Sequence, residues 1–216
     1  MTAYTNGLGV TLEEDVLADL TRRMMHILDL GRRYGLVRPD LIVELAARAM
    51  TDGEQTGEVT DHATTLARVP SLFRGTKPDF AIGDMFNRWH LTPCEESKPA
   101  LYIHHLKGVD HRTLHSHPWP FIGIIISGEY EETLSQPNGD LDARFELWSH
   151  RRSAGGNALY RAASVAHRLD PIGEVWTVVV RGPKDSEWGF LCPEGWHPWS
   201  HYLKNGDIAV IGAGCG

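Results

Sequence analysis

The sequence predicts a mainly β fold, a sandwich or jelly-roll barrel, with helices in front of it. Apolar residues follow helical spacing up to about residue 75, and short alternating or continuous apolar runs follow from there. Many short strands without intervening helices are typical of sandwiches and jelly-roll barrels. The chain contains no internal repeat. We therefore expect a helical N-terminal extension over residues 1–75 and a single barrel domain over residues 76–216.

The N-terminal part begins with a predicted amphipathic helix over about residues 12–30. Its apolar residues fall three or four positions apart: Leu12, Val16, Leu17, Leu20, Met24, Ile27 and Leu28. Thr11 and Glu14 have the spacing of a capping box at its start. Pro39 at a first-turn position predicts a second helix that ends at Met50, and a weaker pattern follows Asp61. Each apolar stripe either covers the barrel or forms a subunit contact in a homodimer.

The barrel part is a series of strand-like segments separated by turns rich in Gly, Pro and Asn. In order they read LYIHHL, FIGIIIS, YEETL, ARFELW, ALYRAA, EVWTVVVR and DIAVIG. This pattern requires a core between strands rather than between helices.

Charge and cysteine content narrow the class of partner. The formal net charge is -7 at a sequence pI near 5.9, and no run of Lys or Arg is longer than two residues, which argues against nucleic acid. No segment has the length and apolarity of a membrane span or a signal peptide. The cysteines Cys94, Cys192 and Cys215 are widely spaced and form no CxxC pair, so neither a disulfide framework nor a thiolate zinc site is expected. We expect a cytoplasmic protein with a small-molecule substrate and neither nucleic acid nor membrane as a partner.

The candidate site is a histidine pair within residues 110–119. His115 and His117 are two positions apart, so in a strand both side chains point to one face and can bind one ion. Two imidazoles hold an ion poorly, and His167 lies in the next suitable segment, about 50 residues on. The alternative is that these are interior histidines of a barrel without metal.

Around these histidines the chain resembles the cupin superfamily. Gly108, His115, His117 and Gly128 stand close to the places of the first cupin motif, and His167 matches the end of the second. The segments that most resemble small, uncharacterised bacterial and phage cupins are Leu114–Trp119, Gly128–Glu132, Ala166–Arg168, Trp188–Phe190 and Gly195–Trp196. The resemblance covers about residues 80–203. It implies a double-stranded β-helix with one metal ion inside, bound by His115, His117 and His167.

One position departs from the cupin pattern. Where the motif has a glutamate ligand, this chain has Phe121 or Ile122, neither of which can bind a metal. Either the site has three histidines only, or a carboxylate comes from another strand, with Glu132 as the first candidate and Glu131 as the second. Three neutral imidazoles leave positions open for water, oxygen or a chelating substrate, which indicates a catalytic site.

Further candidates lie near the histidine motifs. Tyr130 either hydrogen-bonds in the site or packs as a strand residue. Two inward-facing arginines would form a fork for a carboxylate or phosphate, and the sequence offers Arg112, Arg161, Arg168 and Arg181. The alternative for each of them is an outward-facing strand residue. We choose Arg181 first because it closes the apolar strand 176–180 and is predicted to lie at a barrel mouth. The candidate catalytic residues are therefore Tyr130, Glu132 and Arg181.

Three functions are compatible with such a site. The first is a mononuclear non-haem Fe(II) oxygenase that acts on a small polar or anionic substrate. The second is a redox-neutral isomerase or lyase in which Zn, Mn or Ni polarises a carbonyl and Glu132 moves a proton. The third is a barrel that binds a small molecule without chemistry. The fold does not decide between them.

Overall fold

The computed structural model describes residues 3–51, 62–108, 113–136, 146–205 and 207–215. The helices in these ranges are α1 (Glu14–Tyr34), α2 (Pro39–Met50), α3 (His62–Phe73) and α4 (Trp199–Tyr202). The strands are β1 (Tyr4–Thr5), β2 (Thr11–Leu12), β3 (Leu36–Val37), β4 (Phe80–Ile82), β5 (Phe86–His90), β6 (Ala100–Leu106), β7 (Leu114–His115), β8 (Phe121–Gln136), β9 (Glu146–Ser153), β10 (Ala158–Arg161), β11 (His167–Arg181), β12 (Gly189–Cys192), β13 (Gly195–Pro198), β14 (Leu203–Lys204) and β15 (Asp207–Ile211).

One large antiparallel sheet organises the barrel around the two longest strands. The second half of β11 pairs with β6 on one side and with β8 on the other, so that Val179 is the partner of both Tyr102 and Gly123. The first half of β11 pairs with β7, where His167 is the partner of His115, and with the second half of β8. The predicted mainly β jelly-roll class with N-terminal helices is confirmed.

The strands of this sheet have two faces of different character, because successive side chains in a strand alternate between faces. One face is apolar and contributes to the largest core cluster through Leu101, Ile103, Ile122, Ile124, Ile126, Trp176, Val178 and Val180. The residues between them line a cavity instead: Tyr102, His104, Leu106, Phe121, Gly123, Ile125, Thr177 and Val179. The alternation thus places a core on one side of each strand and a potential site on the other.

The N-terminal helices cover the apolar face. Leu20, Met24 and Ile27 of α1 are buried in the same cluster as the sheet residues, together with apolar residues of α2 and α3. Gly31 allows α1 to approach closely, since a Cβ there would lie 2.5 Å from the Cδ1 of Ile122. After α1, β3 pairs with β10 of the sheet. Of the two roles predicted for the apolar stripes, covering the barrel is the one observed within this chain, and the division at residue 75 stays a prediction.

Local details correct several expectations. The α2 helix has the predicted bounds, and α3 begins at His62. The predicted capping box is wrong, because Thr11 belongs to β2 and the N-cap residue is Glu13, without a side-chain cap.

The predicted strands FIGIIIS and YEETL form one strand, since Gly128 is an irregularity at a φ of 83° rather than a turn. A Cβ at Gly128 would lie 2.2 Å from the carbonyl oxygen of Glu174, so the strand passes there only with glycine. Residues 143–145 of the predicted ARFELW strand lie outside the described residues.

The expectation that the cysteines form no disulfide is wrong. Cys192 at the end of β12 is bonded to Cys215, near the C-terminus, with Cα atoms 5.4 Å apart. The two lie 23 positions apart in sequence, and the β14–β15 hairpin brings the chain back to β12.

None of the described helices is long and apolar enough to cross a membrane.

Candidate metal centre

The three predicted histidines meet at one point of the barrel wall. His115 ends β7, His117 follows it in a loop, and His167 begins β11 directly opposite His115. Their rings are 5.0 to 5.3 Å apart between centroids, and one ligand nitrogen from each lies within 4.8 Å of the others. His115 and His167 are buried. The structure therefore brings together the three histidines that the sequence predicted as metal ligands.

The donor set fits a divalent ion. The Nε2 atoms of His117 and His167 are 2.9 Å apart. Two imidazole nitrogens each about 2.1 Å from one ion and at right angles to each other are about 3.0 Å apart. Burial lowers the pKa of His117 well below its ordinary value, and His167 and His115 lower it further. A neutral imidazole is the form that binds metal, so the surroundings favour the ligand state.

Glu132 lies inside the barrel, which resolves the alternative between the two glutamates. Its side chain is 3% exposed, whereas Glu131 is exposed. Glu132 is not part of the group of three potential ligands whose atoms lie within 4.8 Å of one another. Its Oε1 accepts a hydrogen bond from Nδ1 of His167 at 3.0 Å. With a proton on Nδ1, the lone pair of His167 is on Nε2, the atom that faces His117, so Glu132 is placed to orient the His167 ring toward a metal ion.

Two arginines complete the network around this carboxylate. Arg161 of β10 donates to both oxygens of Glu132, from Nε at 3.1 Å and from Nη2 at 2.7 Å. Arg152 of β9 also donates to Glu132 through its Nε. Burial alone would raise the pKa of Glu132, but the hydrogen bonds from His167 and Arg161 lower it below the ordinary range. Glu132 is therefore a fixed carboxylate whose oxygens are held by three partners.

The histidines open onto a cavity of about 550 Å³. Cavities of this size are typical of small-molecule sites, which are mostly apolar with few polar groups. The apolar wall includes Phe80, Ile82, Phe86, Leu106, Ile125 and Leu159. Tyr130 also lines the cavity, and burial, followed by the charge of Glu132, raises its pKa. Its hydroxyl is therefore protonated at neutral pH.

Arg181 itself does not line this cavity, although it contacts two residues that do, Tyr102 and Trp119. It is 1% exposed and donates to the carbonyl oxygens of Lys98, Glu95 and Gly182 and to the hydroxyl of Tyr102. These contacts hold the loop between β5 and β6, and the ring of Trp119 lies 4.8 Å from its guanidinium carbon. Of the other candidates, Arg168 pairs with Asp170, and Arg112 lies outside the described residues. The candidate that contacts the metal centre network is Arg161.

Sequence reasoning did not single out Arg88 and His104, which both line the cavity. Arg88 donates from Nε to Nε2 of His104 at 3.0 Å. The signal that finds them is alternation along β5 and β6. In β5, Phe86 and Arg88 face the cavity and Trp89 faces the core. In β6, Tyr102, His104 and Leu106 face the cavity, whereas Leu101 and Ile103 face the core.

A second group of potential ligands lies elsewhere. Cys192, Glu194 and His197 bring one ligand atom each within 4.8 Å of the others. Cys192 is in the disulfide bond, so its sulfur is not the thiolate that a metal requires.

No protein-family model and no curated protein matches the chain. Several solved structures are partially similar to the chain. They include the 7S globulin of Momordica charantia, with a TM-score of 0.42 and 16% identity over 55% of this chain and 36% of the globulin. They also include an oxalate oxidase in complex with glycolate, with a TM-score of 0.35 and 21% identity over 43% and 46% of the two chains. An oxalate decarboxylase matches with a TM-score of 0.39 and 16% identity over 54% of this chain and 30% of its own. The matched region thus spans less than half of each of these structures, and all three TM-scores are below 0.5.

Proposed function

We propose that the chain is a metal-dependent enzyme of the cupin type in which His115, His117 and His167 bind one divalent ion. The observation that carries this proposal is the meeting of three imidazoles at the wall of a large cavity, with one of them hydrogen-bonded to a buried carboxylate. Structural zinc sites use four protein ligands, whereas three protein ligands leave positions for a substrate. This arrangement favours a catalytic centre over a structural one.

The reaction we favour is that of a mononuclear non-haem oxygenase, with Fe(II) as the ion and a small polar or anionic organic molecule as the substrate. Bound Fe(II) would supply the redox chemistry with oxygen. The chain itself supplies the ligands, excludes water with its apolar cavity wall and orients His167 through Glu132. Tyr130 would donate a hydrogen bond to the substrate, since its hydroxyl is protonated.

The alternative is a redox-neutral isomerase or lyase with Zn, Mn or Ni. That reaction needs a base to move a proton, and the sequence suggested Glu132 for it. The oxygens of Glu132 are held by His167, Arg161 and Arg152, and its pKa is low. A carboxylate in such a network is a poor base, so we assign Glu132 a positioning role and rank the oxygenase first.

Metal analysis and oxygen uptake test the proposal together. Protein purified without added metal is analysed for bound elements, then reconstituted with Fe(II) without oxygen and mixed with a panel of organic acids. We expect one ion per chain, substrate-dependent oxygen uptake, and loss of both in His167→Ala. The matched control is His26→Ala, which changes an exposed histidine of α1.

Three results would separate the alternatives. Turnover without oxygen uptake would favour the isomerase or lyase, and ligand binding without any turnover would favour a binding protein. Full metal occupancy in His167→Ala would overturn the ligand set itself.

We further propose that the substrate is a small molecule and that the chain forms a homodimer. The cytoplasmic location was based on unpaired cysteines, and the Cys192–Cys215 disulfide removes that basis, because disulfides are rare in reducing compartments. Thiol counting on protein isolated under alkylating conditions tests whether the disulfide is formed in the cell.

A further inference from the structure

Arg88 is a cationic residue of the cavity that the metal centre does not use. Arg88 lies in β5, where its Cα partner is His104 of β6. His104 in turn is the partner of Thr177 in β11, and Thr177 is the partner of Ile125 in β8. All four line the cavity. Arg88 is thus carried by a strand that is paired on both sides, with β4 and β6, rather than by a loop.

The surroundings of Arg88 are aromatic. Its guanidinium carbon lies 5.3 Å from the ring centroid of Phe80, 5.4 Å from that of Phe86 and 4.8 Å from that of Tyr102. The hydrogen bond from its Nε goes to His104, and burial, followed by the charge of Arg88, lowers the pKa of His104 well below its ordinary value. The partner of Arg88 is therefore a neutral ring and not an anion.

The other arginines at this cavity differ from Arg88 in having carboxylate partners. Arg151 pairs with Glu129, while Arg152 and Arg161 pair with Glu132. Among the described residues, no carboxylate lies within ion-pair distance of Arg88. The side chain of Arg88 is half-buried. Arginine stays protonated in proteins, and a charge that is partly removed from water without a counterion is unfavourable. Burial accordingly lowers the pKa of Arg88. An incoming anion would supply the missing partner.

Arg88 and the metal centre face the same cavity. The ring of Tyr102, next to Arg88, packs in one cluster with Val179 and Phe121, and the ring of Phe121 lies 4.8 Å from that of His117. The charge of Arg88 also acts on His117. Between the two polar ends the wall is apolar, and the volume is large for a two-carbon acid. The cavity therefore suits a molecule with an anionic end and an apolar body.

We propose that Arg88 is the substrate-binding residue for an organic carboxylate, whose carboxylate group pairs with the free edge of the guanidinium while its apolar body lies along Tyr102, Val179 and Phe121 toward the histidines. Arginine binds carboxylates through two parallel hydrogen bonds, and its Nη atoms are the ones not directed at His104. The identity of the substrate class rests on the proposed function. The anion subsite does not, because it needs no metal.

The test uses the full chain, treated with a chelator, and two probes of the same shape. The probes are 3-phenylpropionate, which is an anion, and 3-phenylpropanamide, which is neutral, and binding is measured by titration calorimetry. We expect the parent protein to bind the carboxylate at least tenfold more tightly than the amide. Arg88→Gln should lose that preference, and Arg88→Lys should keep part of it because the charge remains without the fork. The matched control, Arg151→Gln, removes an arginine at the same cavity that is already paired with Glu129 and should leave the preference unchanged.

Two outcomes would overturn the subsite: a parent protein that binds both probes equally, which needs no variant to establish, or an Arg88→Gln protein that keeps the preference and the parent's melting temperature. The failure of the proposed function looks different. If reconstituted protein consumes no oxygen but the carboxylate preference still depends on Arg88, the anion subsite stands and the oxygenase does not.

Discussion

The two faces of the large sheet are built from the same strands but follow opposite rules. On the face toward the helices, Ile103, Ile124 and Val178 belong to one apolar cluster. On the cavity face, His104, Thr177 and His167 stand among apolar neighbours, and charged groups form networks. A polar residue would destabilise the first face, whereas on the second it defines the chemistry. The comparison teaches that function in this protein lies on the alternate residues of strands whose other residues hold the fold together.

Removal of the helices is the largest test of this comparison. Deleting residues 1–75 would expose the apolar face, which α1, α2 and α3 cover. Large exposed apolar patches cause association, so we expect the truncated chain to aggregate. Light scattering and size-exclusion chromatography measure the outcome. A truncated chain that stayed soluble, monodisperse and as stable as the parent would show that the helical face is not part of the core.

Neighbouring isoleucines of β8 give a matched pair that separates the faces. Ile124 belongs to the core under the helices, whereas Ile125 lines the cavity. Ile124→Ala should lower the free energy of unfolding by about 3 kcal/mol, because the packed surroundings cannot fill the space. Ile125 packs against Phe86, Leu106 and Val175, but its substitution enlarges an existing cavity, so Ile125→Ala should lower the free energy of unfolding by less, about 2 kcal/mol. Chemical denaturation of both variants provides the comparison, and equal losses would mean that the cavity face is packed as tightly as the core.

The sequence predicted the apolar face better than the cavity face. Periodicity gave α2 its bounds and placed the strands, because burial leaves a repeating apolar signal. The sequence also predicted His115, His117 and His167 as one set, because they stand close to the histidine positions of the cupin motifs that the chain resembles. Arg88 was not predicted, since a charged residue in FNRWH is ordinary in sequence and becomes unusual only when the fold surrounds it with aromatic rings. The inward orientation of Glu132 depended on strand register, which a shift of one residue would reverse.

Glu132 tests whether the paired charges of the cavity face serve the metal. Glu132→Gln keeps the shape but gives His167 a weaker acceptor and leaves Arg161 and Arg152 without their carboxylate. Changes of partners behind metal ligands reduce metal affinity by about 10- to 100-fold, and we expect a loss in that range. Competition with a chelator of known affinity measures it. The control is Glu131→Gln, on the exposed side of the same strand. Unchanged affinity in Glu132→Gln would leave the three histidines as the whole protein contribution.

The smallest effect on the free energy of unfolding should come from substitution of Arg88, and the sign of that effect is informative. Replacing a paired buried charge with an apolar residue breaks an ion pair, so Arg161→Met should destabilise the fold by leaving Glu132 with one arginine fewer. Arg88 has no carboxylate to lose among the described residues, and Arg88→Met keeps the length of the side chain while removing the desolvation of its charge. Against this gain stands the loss of cation–π contacts, about 0.5 to 1 kcal/mol each. We therefore expect the free energy of unfolding of Arg88→Met to stay within about 1 kcal/mol of the parent, or to rise, while the carboxylate preference disappears. Thermal unfolding and the two-probe titration on the same sample check both. A residue retained for binding rather than for stability gives this combination, whereas a loss of stability as large as that of Arg161→Met would make Arg88 a structural residue of the cavity wall.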